Sequence, residues 1–270
     1  MKKKRKLKKS IKIAIAFVVL LIIAVYTRGS GTENTDAIPV ENPTKYTEEF
    51  QKRAKEDNRY NEVIQNIESY PEDVIKLLYS NGETLDFVLS RDNFKKPSFL
   101  INIGEECGDG KIPRLQQWDP KWGWYEYGDN VLAINGCGPT ALSMVVSGLT
   151  GDKDITPIKI AKYSDKHGFH EAAGTNWNLM VEGAKKYGVK GLAIDNTKSS
   201  FESALKNGNP IICSVGPGYF TREGHFIVIA GMKDGQLVIH DPNNIARSEK
   251  LWNYNDIKSQ IKAAWAYSLE

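Results

Sequence analysis

The sequence predicts an α+β protein behind an N-terminal apolar segment, and three observations support this class. Helical patterns fill residues 46–94 and recur between residues 140 and 208. Three β-type runs then follow close together: Ile211–Val215, His225–Ala230 and Gln236–His240. Asp234-Gly235 is a turn signal between the last two runs, which therefore predict an antiparallel hairpin. Helices first and strands later favour α+β over alternating βαβ units.

Residues 1–28 predict a membrane anchor or a signal peptide. Eight basic side chains and no acid lie in residues 2–12, and residues 13–26 are uninterruptedly apolar. A helix of that length reaches about 21 Å, short of a roughly 30 Å hydrocarbon core, so spanning requires flanking residues and some bilayer thinning. The length suits a signal peptide, but Tyr26 and Arg28 fall where a good cleavage site has small residues, which favours the anchor. In both cases we expect a cytoplasmic basic flank and an extracellular or secreted body.

The net charge of +3 belongs to this tail rather than to the body. Beyond residue 12 there are 28 basic and 33 acidic residues, a formal charge of −5. A nucleic-acid-binding domain gathers Lys and Arg on its folded surface, so the sequence argues against a nucleic-acid partner.

The remainder divides into a polar linker, residues 29–44, a helical region, residues 45–106, and a domain, residues 107–270. The helical region predicts helices through residues 48–58 and 61–70, a third opened by Pro71, and a short one at Leu85–Leu89. We interpret this region as a packing or spacer element in preference to a partner-binding site.

The C-terminal domain predicts its own series of elements before the three strands. We expect Trp122 to lie in the core. The predicted elements are a strand at Asn130–Ile134, a helix at Thr140–Leu149 ended by Gly151, a helix from Thr156-Pro157 to Gly168, a helix from Asn176 or Asn178 to Gly188, and a helix capped by Ser199 or Ser200 that ends at Asn207-Gly208.

Cys137 is the first candidate for chemistry. Pro139 suits a first helical position, so Cys137 should lie just before a helix, near unpaired N–H groups and the positive end of the dipole. That environment favours a thiolate, the nucleophilic form of cysteine. A small residue in a glycine-rich turn is the alternative interpretation.

His225 strengthens the nucleophile interpretation because it lies at the start of a predicted central strand. With a three-residue hairpin loop, Lys233–Gly235, Ile227 would face Asp241, and His225 would share a face with both. A two-residue loop would place His225 and Asp241 on opposite faces. A carboxylate behind a histidine fixes the imidazole tautomer and steadies the imidazolium. His240 would point away and be structural.

Gln116 and Gln117 offer a side-chain donor to an oxyanion, alongside the backbone N–H of Cys137. Two further features carry less weight. His167 and His170 could suggest a metal, but their segment lacks cysteine partners, so we expect neither metal nor cofactor. Cys107 and Cys213 could form a disulfide, although the sequence does not require one.

Taken together, these segments resemble a known family. The segments are Gln117-Trp118-Asp119…Trp122, NGCGPTALSMV, GHFIVIAG and Asp241-Pro242-Asn243. They resemble the bacteriocin-processing, double-glycine-leader peptidases and their stand-alone exported Firmicute relatives, from about Lys111 to the C-terminus. The resemblance implies a papain-like fold, in which a helical lobe with the catalytic helix packs on an antiparallel sheet.

By this resemblance, Cys137 is the nucleophile, His225 the base, Asp241 the residue that orients the base, and Gln117, rather than Gln116, the oxyanion donor. Leader-peptide processing does not carry over, because family members fused to transporters act on the cytosolic side whereas this body is expected outside. We therefore expect an exported cysteine peptidase or amidase with a peptide or amide substrate. A catalytically idle module that binds peptide or cell wall, and a transferase whose acyl-enzyme reacts with an amine, are the alternatives.

Overall fold

The computed structural model describes residues 43–94, 101–171 and 174–270 of the chain, with side chains from residue 45 onward. The predicted anchor or signal peptide and nearly all of the linker lie outside the described residues. Within the described ranges, no helix is both long and apolar enough to cross a bilayer.

Helices dominate the first half of the described chain. Numbered in chain order, the α-helices are α1 Pro43–Arg53, α2 Tyr60–Gln65, α3 Glu72–Ser80, α4 Leu85–Leu89, α5 Leu132–Asn135, α6 Cys137–Thr150, α7 Pro157–Lys166, α8 Lys198–Lys206, α9 Ile245–Glu249 and α10 Tyr254–Ile257. A π-helical turn spans Leu179–Gly183, and 3₁₀ turns span Ile67–Ser69, Gly82–Thr84 and Arg91–Asn93.

The described strands are β1 Glu126–Tyr127, β2 Asn130–Val131, β3 His170–Glu171, β4 Gly174–Thr175, β5 Val189–Ala193, β6 Ile211–Val215, β7 His225–Lys233, β8 Gln236–His240, β9 Leu251–Trp252 and β10 Ile261–Leu269. Six of these described strands form an antiparallel sheet in the order β5-β10-β6-β7-β8-β9. The α+β class is therefore confirmed.

Hydrophobic clusters cover both faces of this sheet. Side chains of α6 and α7 pack on one face against alternate residues such as Ile212, Phe226 and Val228. Residues one position out of step, among them Ile211, Cys213 and Ile227, pack on the other face with Phe201 of α8. This period-two division explains why β6 and β7 read as continuous apolar runs, since both of their faces are buried.

The helical region adds a third cluster and packs on the C-terminal domain. Phe50, Val74, Leu78 and other apolar residues of α1–α4 surround each other and contact Trp118 and Ala133. Trp124 stacks on Phe87 with 4.5 Å between ring centroids, and its Nε1 donates to the Phe87 carbonyl at 2.9 Å. The packing interpretation of this region is supported, whereas the predicted domain borders stay predictions.

The hairpin of β7 and β8 departs from the predicted loop. Lys233 pairs with Gln236, so the loop has two residues, Asp234-Gly235, both with positive φ as a type I′ turn requires. A bulge at Ala230 then shifts the register by one, so that Val228 pairs with His240. The three-residue loop was wrong, but the bulge supplies the missing residue and still brings Ile227 opposite Asp241.

Other predictions also need correction. Residues 130–134 were predicted as a strand, yet only β2 is extended and α5 begins at Leu132. The helix predicted at 48–58 begins and ends earlier, as α1. Thr197, rather than Ser199 or Ser200, caps α8, because its hydroxyl accepts from the N–H of Ser200. Strands β5 and β10 were not predicted.

Other sequence predictions hold. Thr156 caps α7 by accepting from the Lys159 N–H, and Gly151 ends α6 in the left-handed conformation. Trp122 is fully buried in the core, as expected. Strands β6 and β8 have the predicted bounds.

Candidate active site

Cys137 is the first residue of α6, and two glycines shape the backbone around it. A Cβ on Gly136 would lie 2.3 Å from the Leu132 carbonyl oxygen, and one on Gly138 would lie 2.6 Å from Oγ1 of Thr175. Both positions therefore require glycine because neighbouring atoms come too close for a side chain. Cys137 itself stays partly exposed, as a nucleophile must be.

His225 begins β7 and lies between Cys137 and Asp241. Its Nε2 is 2.8 Å from Oδ1 of Asp241, and a carboxylate can only accept, so Nε2 carries the proton. The imidazole also interacts with the side chain of Cys137, and Nδ1 is the nitrogen that remains available for this interaction. The structure thus brings together three of the four residues predicted for catalysis.

The electrostatics of this group favour an ion pair. Burial raises the pKa of Cys137, but the hydrogen bond and charge of His225, with the N–H groups of Phe226 and Gly138, outweigh it and lower the pKa overall. Burial lowers the pKa of His225, yet the charge and hydrogen bond of Asp241, followed by those of Cys137, raise it overall. A thiolate beside an imidazolium is the arrangement these shifts favour.

Asp241 is fully buried and held from several sides. Its Oδ1 also accepts from the N–H of Asn243 at 2.8 Å, and its own N–H donates to Oγ of Ser248 at 2.8 Å. Nε of Arg247 lies 2.6 Å from Oδ2, out of line for a hydrogen bond, so we describe this contact as an ion pair. Although burial raises the pKa of Asp241, His225, Arg247 and Asn243 lower it overall.

Gln117 contacts the segment that precedes Cys137 and the segment that follows Asp241, but its side chain does not present a free donor. Its Nε2 donates to the carbonyls of Ala133 at 2.7 Å and Ile134 at 3.2 Å, and its backbone N–H donates to Pro242 at 2.7 Å. The side-chain amide of Gln116 is buried with no protein hydrogen bond. The oxyanion role of Gln117 stays a prediction.

Three features lie apart from this group. His240 is buried, with Nδ1 3.2 Å from the Pro113 carbonyl, and burial lowers its pKa to about 4. The structural role expected for His240 stays a prediction. His167 stacks on Tyr163. In the described part of the chain, no three His, Cys, Asp or Glu side chains are grouped to hold a metal, and all three cysteines are free thiols.

Sequence reasoning missed Arg247 and Ser248, which both contact Asp241. Neither carries a local signal, since a short helix with Arg and Ser looks like ordinary surface. The N–H of Phe226 was also missed as a donor to Cys137.

The structure combines helices on an antiparallel sheet with a cysteine, a histidine and a carboxylate placed in series. This is the arrangement of the cysteine-peptidase class. A comparison with family models agrees: the Peptidase_C39 like family matches residues 110–269. The chain belongs to this family, which confirms the resemblance in the sequence and indicates a peptidase of the cysteine type.

Solved structures of related domains are also similar. The peptidase domain of Streptococcus ComA, a bi-functional ABC transporter involved in a quorum-sensing pathway, is 23% identical, with a TM-score of 0.40 over 50% of this chain and 93% of that one. A putative C39-like peptidase from Bacillus anthracis is 16% identical, with a TM-score of 0.41 over 62% of this chain and 98% of that one. No curated protein matches the chain.

Proposed function

We propose that this protein is an exported cysteine peptidase or amidase with a papain-like arrangement, in which Cys137, His225 and Asp241 act as a triad. The observation that carries the proposal is the contact series from the sulfur at the start of α6 through His225 to Asp241, with 2.8 Å between Nε2 and Oδ1. Family membership supports a peptide as the substrate.

The mechanism follows from these contacts. The Cys137 thiolate attacks the carbonyl carbon, and the N–H of Cys137, with Gln117 if its amide turns, stabilises the oxyanion. The His225 imidazolium gives its proton to the leaving amine, which produces a thioester and a neutral imidazole. That imidazole then removes a proton from water, and hydroxide attack on the thioester releases the acid and restores the Cys137 thiolate beside the His225 imidazolium. Asp241 steadies the imidazolium throughout.

Export rests on the sequence of residues 1–28, where a basic flank precedes the apolar run. We propose a bacterial cell-membrane location with the N-terminus inside and residues 45–270 outside. Protease treatment of intact cells should then degrade the body of the chain, whereas a cytoplasmic marker protein survives. Protection of the body until the cells are lysed would contradict the proposed location.

One observation favours a second candidate, a catalytically idle peptide-binding module. Both N–H groups of the Gln117 amide are directed at backbone carbonyls, which leaves the oxyanion a weaker set of donors. Such a module would bind peptide near Cys137 without cleaving it. The experiment below separates the two candidates.

The test combines thiol labelling with peptide cleavage. Full-length protein is treated with a chloroacetamide probe at pH 7, labelled cysteines are identified by mass spectrometry, and cleavage of a synthetic peptide pool is followed by the appearance of new N-termini. We expect Cys137 to react fastest, and both labelling at this position and cleavage to vanish in Cys137→Ala. His225→Ala should remove most of the difference in labelling rate between Cys137 and the other cysteines.

Two variants serve as matched controls. Cys107→Ala removes another partly exposed thiol, and His167→Ala removes an exposed histidine, so both should keep Cys137 labelling and cleavage. Fast Cys137 labelling without cleavage in any pool would favour the idle module. Cys137 labelling that His225→Ala leaves unchanged would contradict the proposed triad.

A further inference from the structure

The 3₁₀ turn Gly82–Thr84 of the helical region reaches the segment that carries Asp241. Both carboxylate oxygens of Glu83 accept from this segment, one from the N–H of Ile245 at 2.8 Å and the other from the N–H of Ala246 at 3.0 Å. The side chain of Asn81 donates to the carbonyl of Asn243 at 2.7 Å. More than 160 residues of sequence separate the partners, so these contacts tie two distant parts of the chain together.

The segment held in this way continues directly to the catalytic carboxylate. Ile245 and Ala246 form the first turn of α9, and the next two residues, Arg247 and Ser248, contact Asp241 through its Oδ2 and its N–H. Asn243 donates its own N–H to Oδ1. A displacement of the first turn of α9 would therefore move the groups that orient Asp241.

We propose that Glu83, with Asn81, is a positioning residue of the active site: it holds the segment Asp241–Ser248 so that Asp241 keeps its hydrogen bond to His225. The helical region is then part of the catalytic unit rather than a spacer. This inference rests on the proposed function, because it assumes that Asp241 acts through His225 on Cys137.

Glu83→Gln is a sharp test because it is nearly isosteric. The glutamine retains one acceptor oxygen but places an N–H donor against the N–H of Ile245 or Ala246, where two donors repel each other. Among the described residues, the charged groups that face Asp241 are His225 of β7 and Arg247 of α9, and the one that faces Cys137 is His225. A less firmly held Asp241 therefore affects the Cys137 sulfur only through its effect on His225.

The readout is the rate of Cys137 alkylation by iodoacetamide between pH 4 and 9, followed by peptide mapping of full-length protein. In Glu83→Gln the inflection of the profile should move to higher pH by about half a unit to one unit, so that the rate below the inflection falls about three- to tenfold. Asn81→Ala should move it in the same direction. Asp86→Asn, in the neighbouring helix α4 and in an exposed ion pair with Arg59, should leave the profile unchanged.

A double variant shows whether Glu83 acts through Asp241. In an Asp241→Asn background, Glu83→Gln should add little further shift, since the group it positions is already altered. Glu83→Asp, which keeps the charge, should restore part of the wild-type profile. A merely structural role would lower the unfolding temperature without moving the inflection of the folded protein.

The outcomes separate this inference from the proposed function. If Cys137 labels fast, depends on His225 and yet shows the same profile in Glu83→Gln as in Asp86→Asn, the positioning role is overturned and the triad stands. A full additional shift in the Asp241→Asn background also overturns it. If His225→Ala leaves the Cys137 profile unchanged, the proposed function itself fails.

Discussion

Nε2 of His225 lies 2.8 Å from Oδ1 of Asp241, across two strands whose register shifts by one residue at Ala230. Since Nε2 is committed to the carboxylate, Nδ1 is the nitrogen left for the interaction with Cys137. One imidazole thus joins a buried negative charge to the sulfur, and the charge of each partner determines the protonation of the others.

The first prediction concerns the pH dependence of Cys137. In the wild type, the lowered pKa of Cys137 extends the thiolate to lower pH than an ordinary cysteine allows, and the raised pKa of His225 extends the imidazolium to higher pH. Asp241→Asn removes the charge that raises the pKa of His225, so the imidazolium is lost at lower pH and stabilises the thiolate less. We expect peptide cleavage to show a narrower bell-shaped profile, with its alkaline limb moved to lower pH and its acid limb to higher pH.

Cleavage of a peptide from the pool experiment, measured between pH 4 and 10, checks this prediction, with His167→Ala as the control. An alkaline limb that stays in place in Asp241→Asn would show that the charge of Asp241 does not set the pKa of His225.

The second prediction concerns Arg247. Arg247→Met leaves Oδ2 of Asp241 without its cation in a buried setting, and we expect a loss of about 1–3 kcal/mol in the free energy of unfolding at pH 7. Arg247 is itself 26% exposed, so water can replace part of the lost contact. Arg247→Lys should recover part of the loss, because it keeps the charge but not the planar guanidinium.

The sign of the pH dependence follows from the lowered pKa of Asp241. A carboxyl group whose pKa is lowered by folding contributes stability above its unfolded pKa of about 3.9 and loses it as the pH falls through the lowered value. The free energies of unfolding of the wild type and Arg247→Met, measured with urea, should therefore show their full difference near pH 6. This difference should disappear under more acidic conditions. Arg222→Met, at an exposed position before β7, is the control, and a difference that does not depend on pH would contradict the ion pair.

The third prediction distinguishes Gln117 from Gln116. If Gln117 turns its amide to the oxyanion, Gln117→Ala should lower kcat for peptide cleavage by about 100-fold, the usual effect of removing one such donor. Alkylation of Cys137 by iodoacetamide forms no oxyanion and should keep its rate. Gln116→Ala should change kcat by less than about threefold, within the spread of substitutions away from the reacting atoms. The opposite ranking would assign the role to Gln116.

The sequence predicts the parts of the fold that local signals control. Strands β6 and β8 were predicted from apolar runs, the C-terminal end of α6 from Gly151 and the start of α7 from Thr156, because each signal lies within or next to the element that it defines. Strand β10 was missed. Its Ala263, Ala264 and Ala266 carry no strand preference, and its extended form depends on pairing with β5 and β6 on either side.

The candidate site shows the same limit. The sequence indicates Cys137, His225 and Asp241 as candidates because each lies at the end of an element with a recognisable pattern. The bulge at Ala230 could not be predicted, since it depends on how both faces of β7 are buried. Arg247 and Glu83 could not be predicted either, because their contacts with Asp241 and α9 depend on tertiary packing between distant segments.

The fourth prediction concerns the helical region. Trp118, Trp124, Val131 and Ile245 of the C-terminal domain pack against the apolar side chains of α1–α4. Removal of residues 1–100 would expose this surface, so we expect residues 101–270 alone to aggregate, whereas residues 43–270 stay soluble and monodisperse. Size-exclusion chromatography with light scattering checks both fragments. A monodisperse 101–270 fragment with full Cys137 labelling would show that the C-terminal domain is independent of the helical region.

The last prediction concerns Cys213, which is fully buried on β6 opposite Ile227 in an apolar cluster. Burial raises the pKa of its thiol, which keeps it neutral and inert. Cys213→Ser places a hydroxyl in a cluster whose side chains are mainly apolar, and we expect a loss of about 1–3 kcal/mol in unfolding free energy. Cys213→Ala should cost less, about 1 kcal/mol, since it leaves only a small cavity.

Because Cys107 and Cys213 are free thiols, a reductant should leave the unfolding temperature unchanged in both variants and in the wild type. Equal losses for the two variants would mean that the serine hydroxyl finds an acceptor, and a reductant-sensitive wild type would mean that the two cysteines pair.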